Sequence, residues 1–135
     1  MLRIAIVVDP TLPIGSITNT VGAIGIGLGA VATELGGTGL TDRVGRQVRT
    51  SANRPVPILQ APTDGIGALL LRALPAPEGA VVVPFPRFAR ALHQFEDYLA
   101  AFPQRSLDDE ILDGVGLAGP EQWVRSLTGS LKLLR

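Results

Sequence analysis

The residues best suited to chemistry in this chain are polar side chains that border apolar segments. Asp9 directly follows the apolar stretch Leu2–Val8. In α/β proteins, ligands bind beyond the carboxyl ends of the strands, so polar residues at such ends are candidates for a pocket. Together with one aromatic residue that follows a later strand, the candidate ligand-binding residues are Asp9, Ser16, Thr18, Asn19, Thr63, Asp64 and Phe85.

A second candidate site lies in the polar stretch 38–54, which holds four arginines. Guanidinium groups bind phosphate and carboxylate groups, so an anion site is one interpretation, and a solvated charged face is the other. We also expect a short ribbon in which Leu40 and Thr41 pair with 47–49. The candidate anion-binding residues are Arg43, Arg46 and Arg49, and Arg54 is the fourth arginine of the stretch.

The remaining titratable residues indicate no catalytic or metal site. His93 is the only histidine, and with no second ligand nearby we expect it at the surface. Four acidic residues occur between 106 and 113, but their spacing matches no Ca²⁺-binding loop. We therefore predict a solvated run of charge in a linker. Its members are Asp108, Asp109, Glu110 and Asp113.

Glycines interrupt the helix-like run that ends near Leu35. Gly22, Gly25, Gly29 and Ala32 share one face, and we expect this bare face to pack closely on the sheet or on a partner helix. Residues 27–32 also match the dinucleotide-binding pattern G-x-G-x-x-A, but that pattern belongs in the turn between a strand and a helix. No cofactor is therefore expected.

Composition favours one cytoplasmic domain. The 135 residues carry 12 basic and 12 acidic side chains, so no overall charge attracts nucleic acid or an anionic membrane. The absence of cysteine excludes disulfides and thiolate chemistry. No leader sequence is evident, and the longest apolar run, 21–32, is shorter than the ~20 residues that span a bilayer. A single domain over 1–135 is the natural expectation.

Strand and helix patterns alternate along the chain, which predicts an α/β fold with a largely parallel sheet. The apolar segment 131–134 at the end of the sequence should be buried in a groove or against a partner. We expect strands at 3–8, 56–60, 79–83 and 111–118, and helices at about 18–35, 66–74, 87–102 and 121–127, with Ser16 or Thr18 as N-cap of the first helix and Thr63 or Asp64 as N-cap of the second.

Three segments resemble the type II peptidyl-tRNA hydrolases. The tail G-L-A-G-P-E-Q-W-V-R-S-L-T-G-S-L-K-L-L at 116–134 carries that family's G-P pair and its T-G-x-L-K-L ending, and 56–74 and 3–15 are similar to its second and first strands. The arginine-bearing loop and the tail also resemble an uncharacterised sister family of the same fold. The resemblance implies a three-layer α/β/α sandwich with a four-stranded mixed, mostly parallel sheet, and a homodimer.

The hydrolases' catalytic residues have no counterparts here. That family uses a lysine in the glycine turn, a glutamine and a histidine in the first helix, and an aspartate after the third strand. Alignment through Gly15 places Ser16 or Thr18 at the lysine, Gly22 at the glutamine, Gly25 at the histidine and Phe85-Pro86 at the aspartate. Glycine has no side chain that can take a proton, so no catalytic residue is expected.

The sequence therefore predicts a non-hydrolase that binds a small ligand or a protein partner near Asp9–Asn19. The alternative is a divergent hydrolase that acts on an ester or amide such as peptidyl-tRNA. Its reactive residues would be Asp9, Thr18, Asn19 and Asp64. A third possibility is that the glycine face of the first helix serves dimerisation alone.

Overall fold

A five-stranded sheet runs through the protein, which a computed structural model describes over residues 1–135. Short 3₁₀ turns separate several of its regular elements. In chain order these elements are β1 (Leu2–Val8), α1 (Ile14–Val31), β2 (Gly39–Thr41), β3 (Gln47–Arg49), β4 (Ile58–Gln60), α2 (Thr63–Ala73), β5 (Val81–Pro86), α3 (Phe95–Ala101), β6 (Leu112–Pro120), α4 (Glu121–Thr128) and β7 (Lys132–Leu133).

The strand order is β5-β6-β1-β4-β7, and most neighbours run antiparallel. Only β1 and β4 are parallel, beginning with Ile6 opposite Ile58. The α/β class and the mixed sheet are confirmed, but the expectation of four mostly parallel strands is wrong. β6 returns antiparallel along the whole of β1, and the C-terminal segment adds a fifth strand.

Helices cover both faces of the sheet because side chains alternate along each strand. Ile4, Ile6 and Val8 point to the face covered by α1. Ala5 and Val7 point to the opposite face, against α2 and α4. β1, which is buried from Ile4 to Val8, therefore separates two apolar cores. The expected ribbon is confirmed as β2 and β3, which pair with each other outside the main sheet.

α1 lies close to β6 because two glycines of that strand leave room for it. A Cβ atom at Gly116 would overlap Ile24 and would lie 3.0 Å from Leu28 Cδ1. At Gly114, a Cβ atom would lie 2.9 Å from Thr20 Cγ2. The glycines do not weaken β6, which is buried from Leu112 to Gly119, but allow the helix to pack against its backbone.

The helical glycines lie differently from our expectation. Apart from the backbone of the helix itself, no atom lies within 4 Å of a Cβ position at Gly22, Gly25 or Gly29, so this face does not pack on the sheet. The buried residues of α1 are instead Thr20, Ile24 and Leu28, and Ala32 follows them at the end of the helix. The glycine face is left open, so its proposed contact with a partner remains a prediction.

α1 also starts earlier than expected from its predicted N-cap residues. It begins at Ile14 after Pro13, without a side-chain cap, so Ser16 and Thr18 lie within its first turns. Thr63 likewise opens α2, which makes Pro62 its N-cap. By length and a mean hydropathy of 1.5, α1 resembles a membrane-spanning helix, although one of its sides packs on the sheet.

The expected helix 87–102 is divided in two. Arg87–Ala91 forms a 3₁₀ turn, and Leu92 and Gln94 are extended before α3 begins at Phe95. A 3₁₀ turn aligns residues three apart, and this brings Arg87 and Arg90 to one buried carboxylate. The apolar side chains of this stretch are therefore not buried together on one helix face, and Phe95 is 69% exposed.

The two edges of the sheet are short or interrupted. β5 forms one edge and carries Pro84 and Pro86. β7 forms the other, where Leu134 N donates to Ile58 O at 2.8 Å. Leu131 and Leu134 pack against opposite cores, while Leu133 is half-exposed, so the apolar tail is buried only in part, within its own chain.

Gly116→Ala should lower the free energy of unfolding by about 1–3 kcal/mol, because its methyl group overlaps Ile24 in a tightly packed core. Urea denaturation followed by circular dichroism measures this change. The matched control is Gly67→Ala in α2, where the Cβ position is open, so stability should rise by up to about 1 kcal/mol. Equal effects of the two substitutions would contradict this account of the α1–β6 contact.

Candidate functional site

Two buried aspartates meet at the end of the sheet where β1 finishes. Asp9 follows β1, and Asp113 is the second residue of the antiparallel β6, so the two carboxylates lie side by side. Asp9 N donates to Asp113 O at 3.0 Å. Asp113 is fully buried and Asp9 is 4% exposed. Buried carboxylates require partners, and both find arginines.

Arg87 bridges the two carboxylates. Its Nε donates to Asp113 Oδ1 at 2.9 Å and its Nη2 donates to Asp9 Oδ2 at 3.2 Å. Arg90 Nη2 also donates to Asp113 Oδ1, at 3.3 Å. Asp113 Oδ2 lies 2.6 Å from Arg90 Nε, an ion-pair contact without the angle of a hydrogen bond. The four charges balance inside this cluster.

Asp9 is held as an anion. Burial alone would raise the pKa of its carboxyl group, but two hydrogen bonds from Thr11 and the charge of Arg87 outweigh burial, so the pKa of Asp9 is lowered. The Thr11 N–H and hydroxyl both donate to Asp9 Oδ1, at 2.9 and 2.7 Å. An ionised carboxylate with these partners is a poor general base, so the cluster fastens the 3₁₀ turn to the sheet.

The sequence pattern missed three members of this cluster. Asp113 was assigned to a solvated charge run, and that expectation is wrong because Asp113 lies inside β6. Arg87 and Arg90 lie within the helix expected at 87–102, and no role was predicted for them. Their three-residue spacing after a strand was the available signal. Glu110, also placed in the charge run, pairs with Arg105, whereas Asp108 and Asp109 are exposed.

The other candidate residues do not converge on one pocket. Ser16, Thr18 and Asn19 lie on α1, where the Thr18 hydroxyl donates to Ile14 O at 2.9 Å. Thr63 and Asp64 lie on α2, which covers the opposite face of the sheet. Phe85 packs with the α1-side core and lines a surface groove with residues of α3.

The three arginines of the candidate anion site all belong to the β2–β3 ribbon and its turn. Arg46 Nε pairs with Asp42 Oδ2 at 2.7 Å, and Arg49 Nη1 donates to Gly37 O at 3.0 Å. Arg43 lies in the exposed turn between β2 and β3. The structure therefore distributes these side chains along an exposed ribbon, and an anion site there stays a prediction.

A cavity of about 440 Å³ lies beside the glycine flank of α1. Ile4 and Ile6 of β1 form its apolar floor, with Leu28 of α1. Gly25 and Gly29 expose helix backbone on one side. No charged residue lines it. The rest of its lining comes from Thr33, Leu35, Gly36, Gly37, Thr50, Ser51, Ala52 and Val56.

Two chain segments, 34–38 and 50–53, run side by side at the mouth of this cavity. Asn53 N donates to Leu35 O at 2.9 Å, and Asn53 Nδ2 donates to Glu34 O at 2.7 Å. Thr50 N donates to Thr38 O at 2.8 Å. A Cβ atom at Gly36 would lie 3.0 Å from Ser51 O, so glycine is needed for this approach. The hydrogen bonds fix the polar mouth above the apolar floor.

The carboxylate cluster should make stability depend on pH. Because the pKa of Asp9 is lowered on folding, its contribution is present above the unfolded pKa of about 4 and is lost as pH falls through the folded pKa. Asp9→Asn should therefore cost about 1–3 kcal/mol near neutral pH and progressively less below pH ~4. Urea denaturation at several pH values measures the difference from the parent protein.

The exposed Asp109→Asn is the control for this series, with an expected change within about 0.5 kcal/mol throughout. A deficit of Asp9→Asn that stayed constant down to strongly acidic pH would contradict the assignment of an ionised Asp9.

The fold of this chain is also found in a solved structure. A solved structure described as a protein of unknown function, Atu0240 from Agrobacterium tumefaciens, is similar to this chain with a TM-score of 0.87 and 17% identity, covering 98% of this chain and 96% of the other. At this identity the similarity shows the fold alone. No curated protein matches.

The sequence resembles both the type II peptidyl-tRNA hydrolases and an uncharacterised sister family. Membership of an uncharacterised family is confirmed, whereas nothing in the comparisons links the chain to peptidyl-tRNA hydrolases. The sequence profile described as "Protein of unknown function (DUF2000)" matches residues 2–135, so the chain belongs to the DUF2000 family.

Proposed function

We propose that this chain is a binding domain that holds a small, uncharged, largely apolar molecule in the cavity beside Gly25 and Gly29. The observation that carries the proposal is the combination of an apolar floor with a lining that contains no charged residue. A volume of about 440 Å³ is within the range of small-molecule pockets. The hydroxyl groups of Thr33, Thr50 and Ser51 supply polar contacts at the mouth.

The glycines support the same proposal. Each helical glycine costs roughly 0.5–1 kcal/mol relative to alanine, and a Cβ atom at Gly25 or Gly29 would meet no neighbouring element, so close packing within the chain does not require glycine there. Any larger side chain at these positions would enter the cavity. We infer that they keep space for an occupant that lies against the helix backbone.

The geometry favours binding over hydrolysis. Asp9 is neutralised by Arg87, the Thr18 hydroxyl donates to backbone carbonyls, and Asp64 lies on the helix that covers the other face of the sheet. The proposed divergent hydrolase therefore gains no support from an assembled nucleophile and base. We also propose a peptidyl-tRNA hydrolase II-like scaffold, which the sequence resemblance alone supports, and a cytoplasmic location, which the composition alone supports.

We also propose a homodimer, with the outer face of α1 as its contact. The helix carries no charged residue, and Ile14 and Ile26 are 81% and 77% exposed. Gly15, Gly22 and Gly29 follow one another at seven-residue spacing, with Gly22 near the centre of the helix. An antiparallel copy would thus place glycine against glycine across a twofold axis, as close helix crossings require.

Binding of the neutral dye Nile red tests the cavity. We expect its fluorescence to rise on binding the parent protein, and this increase to be lost in Gly25→Leu, whose side chain would fill the cavity. Gly67→Leu is the matched control, because Gly67 lies on a helix (α2) with an open Cβ position, away from the cavity and from the proposed dimer contact. Binding that survives in Gly25→Leu would refute the assignment.

Light scattering tests the homodimer. Ile26→Glu places a charge on the outer face of α1 and should reduce the mass in solution from that of a dimer to that of a monomer. Val44→Glu, on the exposed turn of the ribbon, should leave the mass unchanged. A parent protein that is already monomeric would rule out this contact.

A further inference from the structure

The β2–β3 ribbon lies outside both apolar cores of the protein. All residues of its two strands are exposed, on both faces of the ribbon. No residue of 39–49 belongs to either core or packs against one. Two strands without a core are marginally stable in water, so their side chains are not held here by burial within the chain. The ribbon is an arm whose side chains are available to a partner.

Three aliphatic side chains are exposed near the tip of this arm. Leu40 lies opposite Val48 in the register of the ribbon, so the two share one face, and they are 48% and 62% exposed. Val44 lies in the turn and is 68% exposed. Strands rise about 3.3 Å per residue, which places Leu40 and Val48 within roughly 10 Å of the turn. The outer end of the ribbon is therefore apolar.

Hydrogen bonds fix the conformation of the turn. Asp42 N donates to Arg46 O at 2.9 Å, and Gly45 N donates to Asp42 O at 3.1 Å, with Gly45 at a φ of 94°. Asp42 Oδ1 accepts from the N–H groups of Val44 and Arg46, at 3.0 and 2.9 Å. A turn that is already ordered loses little conformational entropy when it binds. Arg43 and Val44 are thus presented at a preformed tip.

The arm is also positively charged. The stretch 38–54 holds four arginines and a single acidic residue, Asp42, so its net charge is +3. Asp42 pairs with Arg46, and the other three arginines form no ion pair. Because the whole chain is neutral, the remaining residues carry a net charge of −3. The charges are therefore divided between a basic arm and an acidic body, and the arm attracts a negatively charged surface.

The combination of charge and apolar side chains defines the partner. A nucleic acid would engage the arginines but leave Leu40, Val44 and Val48 in water. An anionic lipid surface engages both kinds of group, because guanidinium groups bind lipid phosphates while aliphatic side chains enter the boundary between headgroups and acyl chains. That boundary accepts apolar side chains to a depth of about 5–10 Å, and the aliphatic end of the ribbon has a similar length.

We propose that the β2–β3 ribbon docks on an anionic lipid surface. Val44 enters the headgroup boundary first, Leu40 and Val48 follow, and Arg43 beside Val44 contacts lipid phosphates. The pair of Asp42 with Arg46 keeps the one carboxylate of the tip from repelling the surface. Residues 39–49 do not line the apolar cavity, so this inference is independent of the function proposed above.

Co-sedimentation of the full chain with vesicles of two parts phosphatidylcholine to one part phosphatidylserine tests the proposal. Vesicles of phosphatidylcholine alone should bind at least about tenfold more weakly, because the arginines then meet no net negative charge. Binding to the anionic vesicles should also fall as salt is added, since ions screen the attraction. Equal binding to both kinds of vesicle, or binding to neither, would overturn the proposal.

Two substitutions separate charge from insertion. Arg43→Gln should weaken binding roughly fivefold, and Val44→Ser should weaken it severalfold by removing an apolar contact. Arg72→Gln and Leu71→Ser, at exposed positions of α2, are the matched controls and should leave binding unchanged. A loss confined to Arg43→Gln would indicate a partner recognised through phosphate alone, such as a nucleic acid, and would overturn the proposal.

A fluorescent dye reports insertion directly. The chain has no cysteine, so nitrobenzoxadiazole can be attached at one chosen position. On Val44→Cys its emission should rise and shift to shorter wavelength when the anionic vesicles are added, because the dye leaves water. On Gln122→Cys, exposed on α4, it should not change. Unchanged emission at position 44, on protein that sediments with the vesicles, would mean adsorption without insertion and would overturn the proposal.

Discussion

The close contact between α1 and β6 determines most of this architecture. Gly114 and Gly116 let Thr20, Ile24 and Leu28 approach the backbone of β6, so the helix packs mainly over β6 and β5 and less over β1. Because α1 is displaced toward that side, irregular segments border the N-terminal half of β1 on the face that α1 covers, while α4 packs on the opposite face. The proposed small-molecule cavity lies where two of those segments, 34–38 and 50–53, pass over β1.

Local pattern predicted the elements well but not how they pair. The strand positions, the ribbon and the last helix follow from apolar runs bounded by proline and glycine, and these are local signals. Strand direction depends on the path of the connections. The alternation of strands and helices favoured a parallel sheet, whereas the long segment between β5 and β6 returns the chain antiparallel. The interruption at Leu92 of the helix expected at 87–102 could not be predicted, because the turn before it is held through Arg87 and Arg90 by the buried Asp113, which is distant in sequence.

The mistaken expectation of a parallel sheet also explains which residues of the candidate site were missed. The rule that ligands bind at the carboxyl ends of strands correctly placed Asp9 at the end of β1. It could not lead to Asp113, because an antiparallel β6 brings its amino end to that edge. The apolar cavity depends on the empty space beside two helical glycines, and the sequence indicated those glycines as a contact without showing what they face.

The prolines of β5 have a consequence for the behaviour of the protein in concentrated solution. A free sheet edge normally recruits strands from neighbouring molecules, and this is a route to fibrils. Pro84 and Pro86 remove two donors from that edge, so an incoming chain finds an incomplete ladder. β7, at the other edge, offers only two residues. Both edges of the sheet therefore offer little to an incoming strand from a neighbouring molecule.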